Sequence, residues 1–141
     1  MRPLISRVLL LFGLAMGTGQ KTSIPTFVIK QPTIIAFFPP VTEAELEKDP
    51  GTNEALSDFQ FYASQVASPL KKAGIDFEVA SATEFKVNNS GVIHRFRTGK
   101  VRVGYYFVAP GKEPHVEQGV MTDLDILEVA REQFQLRIPG P

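Results

Sequence analysis

Two charged stretches and one apolar corner of this 141-residue chain have residue types that can do chemistry. Glu43, Glu45, Glu47 and Asp49 form an acidic run. Paired carboxylates serve acid–base catalysis or bind calcium through oxygen. The run lacks the glycine and the alternating Asp/Asn pattern of a calcium loop, so a solvated loop or short helix is the plainer reading. "HRFRTGKVR" places His94, Arg95, Arg97, Lys100 and Arg102 around Phe96. This positive patch can receive a carboxylate, a phosphate or an acidic partner surface. Its plainer reading is an exposed loop whose charges balance the acidic run. Phe38, Pro39 and Pro40 are the third candidate. With Phe37 they can form an apolar lip for an extended peptide, or they are the end of a buried strand stopped by two prolines, which is preferred.

Much chemistry is excluded by composition. The chain has no cysteine, which removes disulfides, thiolate catalysis and zinc–thiolate or iron–sulfur sites. His94 and His115 are its only histidines, and with no third ligand nearby in sequence no metal is expected. Ser57, Ser64 and Ser68 have no glycine elbow, so a hydrolase triad is not argued. No catalytic residue and no cofactor is expected. The formal net charge is zero, and one aromatic residue in the basic run offers little base stacking, so nucleic acid is not an expected partner. Asn88-Asn89-Ser90 matches a glycosylation sequon and also reads as a turn.

The elements that must position these groups follow from periodicity. Thr26 to Lys30 has strand composition, and Gln31-Pro32 punctuates it. Thr33 to Phe38 is nearly all apolar, which suits a central strand covered on both faces. Thr42 stands three residues before Glu45, as in a capping box. Leu56, Phe59, Ala63, Val66 and Leu70 form one helical stripe. Asn53 is its expected cap, Gly74 its expected C′ residue, and Pro69 predicts a kink or an early end near Ser68. Ile75, Phe77 and Val79 alternate with Asp76 and Glu78, giving a strand and a right-handed β-α-β crossover. Thr83 to Phe96 reads either as a short strand and turn or as a loop and short helix. Lys100 to Ala109 is a strand and "HVEQGV" its hairpin partner. Thr122 caps a final helix with the stripe Leu124, Leu127, Ala130 and Phe134.

At the N-terminus Arg2 and Arg7 precede the apolar run Val8 to Gly17, and small residues follow. This pattern predicts a secretory signal over 1–19, too short for a comfortable membrane span. Residues 20–32 are then a lead-in with the first strand, and 33–137 the domain. Cleavage removes two arginines and no acid, leaving a slightly acidic chain. The expected location is secreted or periplasmic, with a membrane met only through an uncleaved signal.

The order β, β, α, β, an unassigned stretch, β, β, α resembles the thioredoxin-like fold. "TIIAFFPP" before a long helix resembles that family's central strand, and "NNSGVIHRFRTGKVRVGYYFV" its next helix, loop and core strand. "VGYYFVAPGKEPHVEQGVMTDLDILEVAREQF" resembles the closing hairpin and final helix. The resemblance implies an α/β fold, a thioredoxin-like mixed β-sheet flanked by helices. The family's Cys-x-x-Cys is absent: Phe38, Pro39, Pro40 and Val41 stand in that region. Lys100 to Val103 stand where its cis-proline would be. Without a thiolate there is no disulfide exchange.

The first reading is therefore a secreted, redox-inactive, thioredoxin-like domain that acts as a binding or scaffold module for a protein or peptide partner. The alternative is a small enzyme using the acidic loop 43–49 and the basic loop 94–102 for acid–base or phosphate chemistry. A homo-oligomer paired through an exposed edge such as Thr26 to Lys30 is a third.

Overall fold

The computed structural model describes residues 24–98 and 103–135. The described elements follow the order β1 (Thr26–Ile29), β2 (Thr33–Phe38), α1 (Glu43–Lys48), α2 (Pro50–Lys72), β3 (Asp76–Ser81), β4 (Glu84–Asn89), β5 (Val92–Arg97), β6 (Gly104–Val108), β7 (His115–Gln118) and α3 (Asp123–Phe134). The strands make two mixed sheets, one in the order β3-β2-β6-β7 and the other β1-β4-β5. The predicted signal segment, Lys100 and Arg102 lie outside the described residues.

The four-stranded sheet is built around β2, whose six residues are all buried. β2 runs parallel to β3, with Ile35 opposite Glu78, and antiparallel to β6, with Ile35 opposite Tyr106. Strand alternation sends its side chains to both faces. Ile34, Ala36 and Phe38 join Leu56, Phe59, Val66, Leu70, Ile126 and Leu127 in one core on the helix side. Ile35 and Phe37 join Ile29, Phe85, Val87 and Tyr106 in a second core between the two sheets. The layers are therefore helices, four-stranded sheet, three-stranded sheet. The expected helices flank one face only, and a second sheet covers the other.

α1 carries the expected capping box: Glu45 N–H donates to Thr42 Oγ1, and Thr42 N–H to Glu45 Oε1. In α2 all five residues of the expected stripe are buried. Its start differs from expectation: Asp49, not Asn53, is the cap, accepting from Thr52 N–H, and Pro50 follows at the first helical position. That position needs no N–H, so proline suits it. Its end differs too. Pro69 does not stop the helix, which continues to Lys72. Only the last turn lies beyond the proline, and it is held by buried Leu70 and by Ala73 N–H donating to the carbonyls of Pro69 and Leu70.

Residues 84–97 form neither a helix nor a loop but the hairpin β4–β5, so the segment likened to a helix is a strand. Ser90 and Gly91 make its two-residue turn with φ of 56° and 85°, the left-handed pair that matches strand twist in tight hairpins. Asn88 Oδ1 accepts from Gly91 N–H, closing it. Buried Asn89 ties the turn to the other sheet. Its Nδ2 donates to the carbonyls of Ala109 and Lys112, and its Oδ1 accepts from Gly111 N–H. In α3 the buried stripe is Ile126, Leu127 and Ala130, whereas Leu124, expected inside, is exposed.

Candidate functional site: the outer face of the three-stranded sheet

β4 and β5 are antiparallel, with Glu84 opposite Arg97, Phe85 opposite Phe96, Lys86 opposite Arg95 and Val87 opposite His94. Directly opposed residues share a face. Phe85, Val87, His94 and Phe96 therefore face the inter-sheet core, and Glu84, Lys86, Arg95 and Arg97 face outward. β1 runs parallel beside β4 and places Thr26 next to Lys86 on that outer face. The basic segment that reads as one cluster in sequence is thus divided by strand alternation.

The inward half is structural. The Phe96 ring lies 5.1 Å from Phe85, 5.2 Å from Tyr106 and 5.3 Å from Phe37. His94 is half-buried beside it. His115 lies on the other side of the four-stranded sheet, opposite Phe107 of the helix-side core. The sheet therefore separates the two histidines, and no group of three metal-ligating side chains exists among the described residues.

The outward half is a cation patch arranged by one acid. Lys86 and Arg95 sit directly opposite each other, an unfavourable like-charge pairing. Glu84 Oε2 relieves it, lying 2.5 Å from Arg95 Nε and 3.6 Å from Arg97 Nε. Exposed pairs of this kind contribute about 0–1 kcal/mol to stability, so their consequence is orientation. Both arginines meet Glu84 through Nε, and their side chains are 48% exposed at Arg95 and 71% at Arg97. Three cations against one acid give this face a positive balance. Exposed Ile93 extends it with an apolar step. The arrangement can hold a carboxylate or phosphate by charge-assisted, fork-like hydrogen bonds.

Phe38, Pro39 and Pro40 do not join this patch. Phe38 is buried on the helix side, its ring 5.4 Å from Phe59. It is a core residue and not a peptide-gripping lip. Pro39 is half-buried and Pro40 exposed. The acidic run lies on and beside α1, which inserts Leu46 into the helix-side core, whereas Arg95 and Arg97 stand on the outer face of the other sheet. Hydrogen bonds from Thr42 hold the Glu45 carboxyl below its ordinary range, as a capping role requires.

Two polar pairs escape a reading of sequence alone. His115 Nε2 and Glu117 Oε2 lie 2.5 Å apart on β7, an i, i+2 spacing whose meaning depends on knowing that the strand is at an edge. Glu78, on edge strand β3, has its carboxyl pushed up by desolvation and by nearby Asp76; Asp76 in turn accepts from Gln31 Nε2.

No helix among the described residues is long and apolar enough to cross a membrane. No protein-family model matches the chain, and neither a curated protein nor a solved structure matches it.

Proposed function

We propose that this chain is a secreted or periplasmic, redox-inactive thioredoxin-like domain that works as a binding module, and that the outer face of β4–β5 receives an anionic, extended peptide. The observation that carries the proposal is the pair Arg95 and Arg97, held side by side on an exposed strand by Glu84. Three further observations support it. Along the chain, β2, α2, β3 and then β6, β7, α3 keep the succession of elements on which the resemblance to the thioredoxin-like fold rests. The chain has no cysteine. The charged start and apolar run before residue 20 suit export.

The test is a titration of a fluorescently labelled glutamate–valine alternating peptide, read by anisotropy at two salt concentrations. Binding should weaken with salt, as exposed charge pairs do. The double variant R95A/R97A should bind roughly 10- to 100-fold more weakly, the worth of one or two charge-assisted hydrogen bonds. Equal binding by the variant and the parent chain, or none by the parent, would refute the proposal.

A further inference from the structure

The two sheets have four edge strands among the described residues: β3 and β7 on one, β1 and β5 on the other. Three of them carry charge. β3 holds Asp76 and Glu78, β7 holds His115 and Glu117, and β5 holds His94, Arg95 and Arg97. Charged side chains on an edge oppose strand addition. β1 has the sequence TFVI and carries none.

The free edge of β1 can be read from its ladder. Lys86 N–H donates to Pro25 C=O at 2.8 Å, and Thr26 is opposite Lys86 in a parallel register. Successive residues of a strand point their backbone groups to alternate sides. Pro25, Phe27 and Ile29 therefore face β4, and the N–H and C=O groups of Thr26 and Val28 point away from it. Among the described residues no strand pairs with them. Pro25, which has no N–H, costs this outer edge nothing. The Val28 side chain is 58% exposed, and Phe27 is half-buried.

We infer that β1 pairs antiparallel with β1 of a second copy of this chain, joining two three-stranded sheets into one six-stranded sheet across a two-fold axis. The occupant follows from charge. A two-fold axis sets an edge against itself, so a strand bearing one sign of charge meets its own repulsion, and β1 does not. The outward-pointing residues fix the register. Thr26 pairs with Val28 of the partner subunit and Val28 with the partner's Thr26, each a hydrogen-bonded pair exchanging two bonds. Phe27 then meets its counterpart at the axis, where the strands approach most closely. Lys30 falls opposite Ile24 of the partner subunit, so no like charges oppose each other. The contact is independent of the Arg95–Arg97 patch, and either can fail without the other.

The test is sedentation equilibrium of the full chain by analytical ultracentrifugation, with thermal melts to verify that each variant folds. V28P removes an N–H that points away from β4, so the fold should persist. It deletes two of the four intersubunit bonds, and dimer affinity should fall roughly thirtyfold. T26K/V28K sets lysine opposite lysine and should dissociate the dimer. T26E/V28K sets opposite charges at each pairing in this register alone and should retain it. A parent chain that stays monomeric up to about 1 mM, the weak limit of specific association, would overturn the inference. So would a dimer that V28P and T26K/V28K leave unchanged.

Discussion

The two faces of the four-stranded sheet are covered by different physics. On one, helices lay down a core that joins aliphatic residues such as Leu56, Val66, Leu70, Ile126 and Leu127 to the rings of Phe38, Phe59, Tyr105 and Phe107. On the other, a second sheet contributes rings: Phe27 on Phe85 at 5.8 Å, Phe85 on Tyr106 at 5.4 Å, and Phe96 against both Phe85 and Tyr106. Aliphatic side chains on a helix pack ridge into groove and adapt locally. Edge-to-face rings have preferred geometries, worth about 0.5–1.5 kcal/mol per pair beyond burial. Each ring in the second core fixes its neighbours, so that core tolerates less change.

The largest test of this contrast is Phe85→Ala against Leu127→Ala. Both remove a fully buried side chain. Phe85→Ala should cost about 3–5 kcal/mol and Leu127→Ala about 2–5 kcal/mol. Near-ultraviolet circular dichroism of the folded variants should lose more signal in the first, which removes a ring in contact with Phe27, Phe37, Phe96 and Tyr106, than in the second. Equal loss would mean that the cores are not separable units.

A smaller effect is expected at Gly104, which lies opposite Phe37. A Cβ there would stand 2.8 Å from the Glu117 carbonyl and inside the Phe37 ring. Gly104→Ala should cost about 1–3 kcal/mol by overpacking, and Phe37→Leu in the same chain should recover part of it. An additive double variant would show that the backbone contact, and not the ring, is limiting.

The smallest effect reports on the helix-side core. The Tyr105 hydroxyl accepts from Met121 N–H at 3.3 Å. Burial pushes its ionisation up to about 12 from 10.0, although the Met121 hydrogen bond lowers it. A raised folded-state value means that the unfolded chain ionises first. Stability is therefore whole below pH 10 and falls as pH rises toward 12. Tyr105→Phe should flatten the fall in urea midpoint between pH 9 and 11; an unchanged slope would assign it to Tyr106, also raised by burial.

The same contrast explains what was legible in the sequence. A helix packed on one side writes its burial as a three- and four-residue rhythm, and Leu56 to Leu70 are all found inside. The thirteen residues from Glu84 to Phe96 do not advertise a strand pair. In β5 the positions in register with the inner face are Val92, His94 and Phe96, but Val92 is as exposed as its outward neighbour Ile93. A histidine at an inward position and an isoleucine at an outward one break the alternation that marks a half-buried strand. Asp49-Pro50-Gly51 reads as a turn because Pro and Gly dominate it, yet cap and first-turn geometry absorb both residues into α2. For the candidate site, residue types were legible and facing was not. Arg95 and Arg97 are two apart and so share a face, but which face is outward depends on the second sheet. Which side Phe38 faces is set by Phe59 of α2 packed against it, a partner distant in sequence.

The connectivity of the second sheet has a kinetic consequence. The β4–β5 hairpin closes through a two-residue turn, an event of about 1–10 μs in isolation. β1 can complete that sheet only by pairing Thr26 with Lys86, across the whole β2-α1-α2-β3 segment, and such long-range pairing is slow because loop closure precedes its reward. β1 is therefore expected to dock late. Ile29→Ala, at the buried residue of β1, should speed unfolding and leave the refolding rate nearly unchanged in stopped-flow measurements; a slowed refolding limb would place β1 in the nucleus. A strand that arrives last is also the one that a nascent chain carries exposed for longest, and among the described edge strands it is the one without charge.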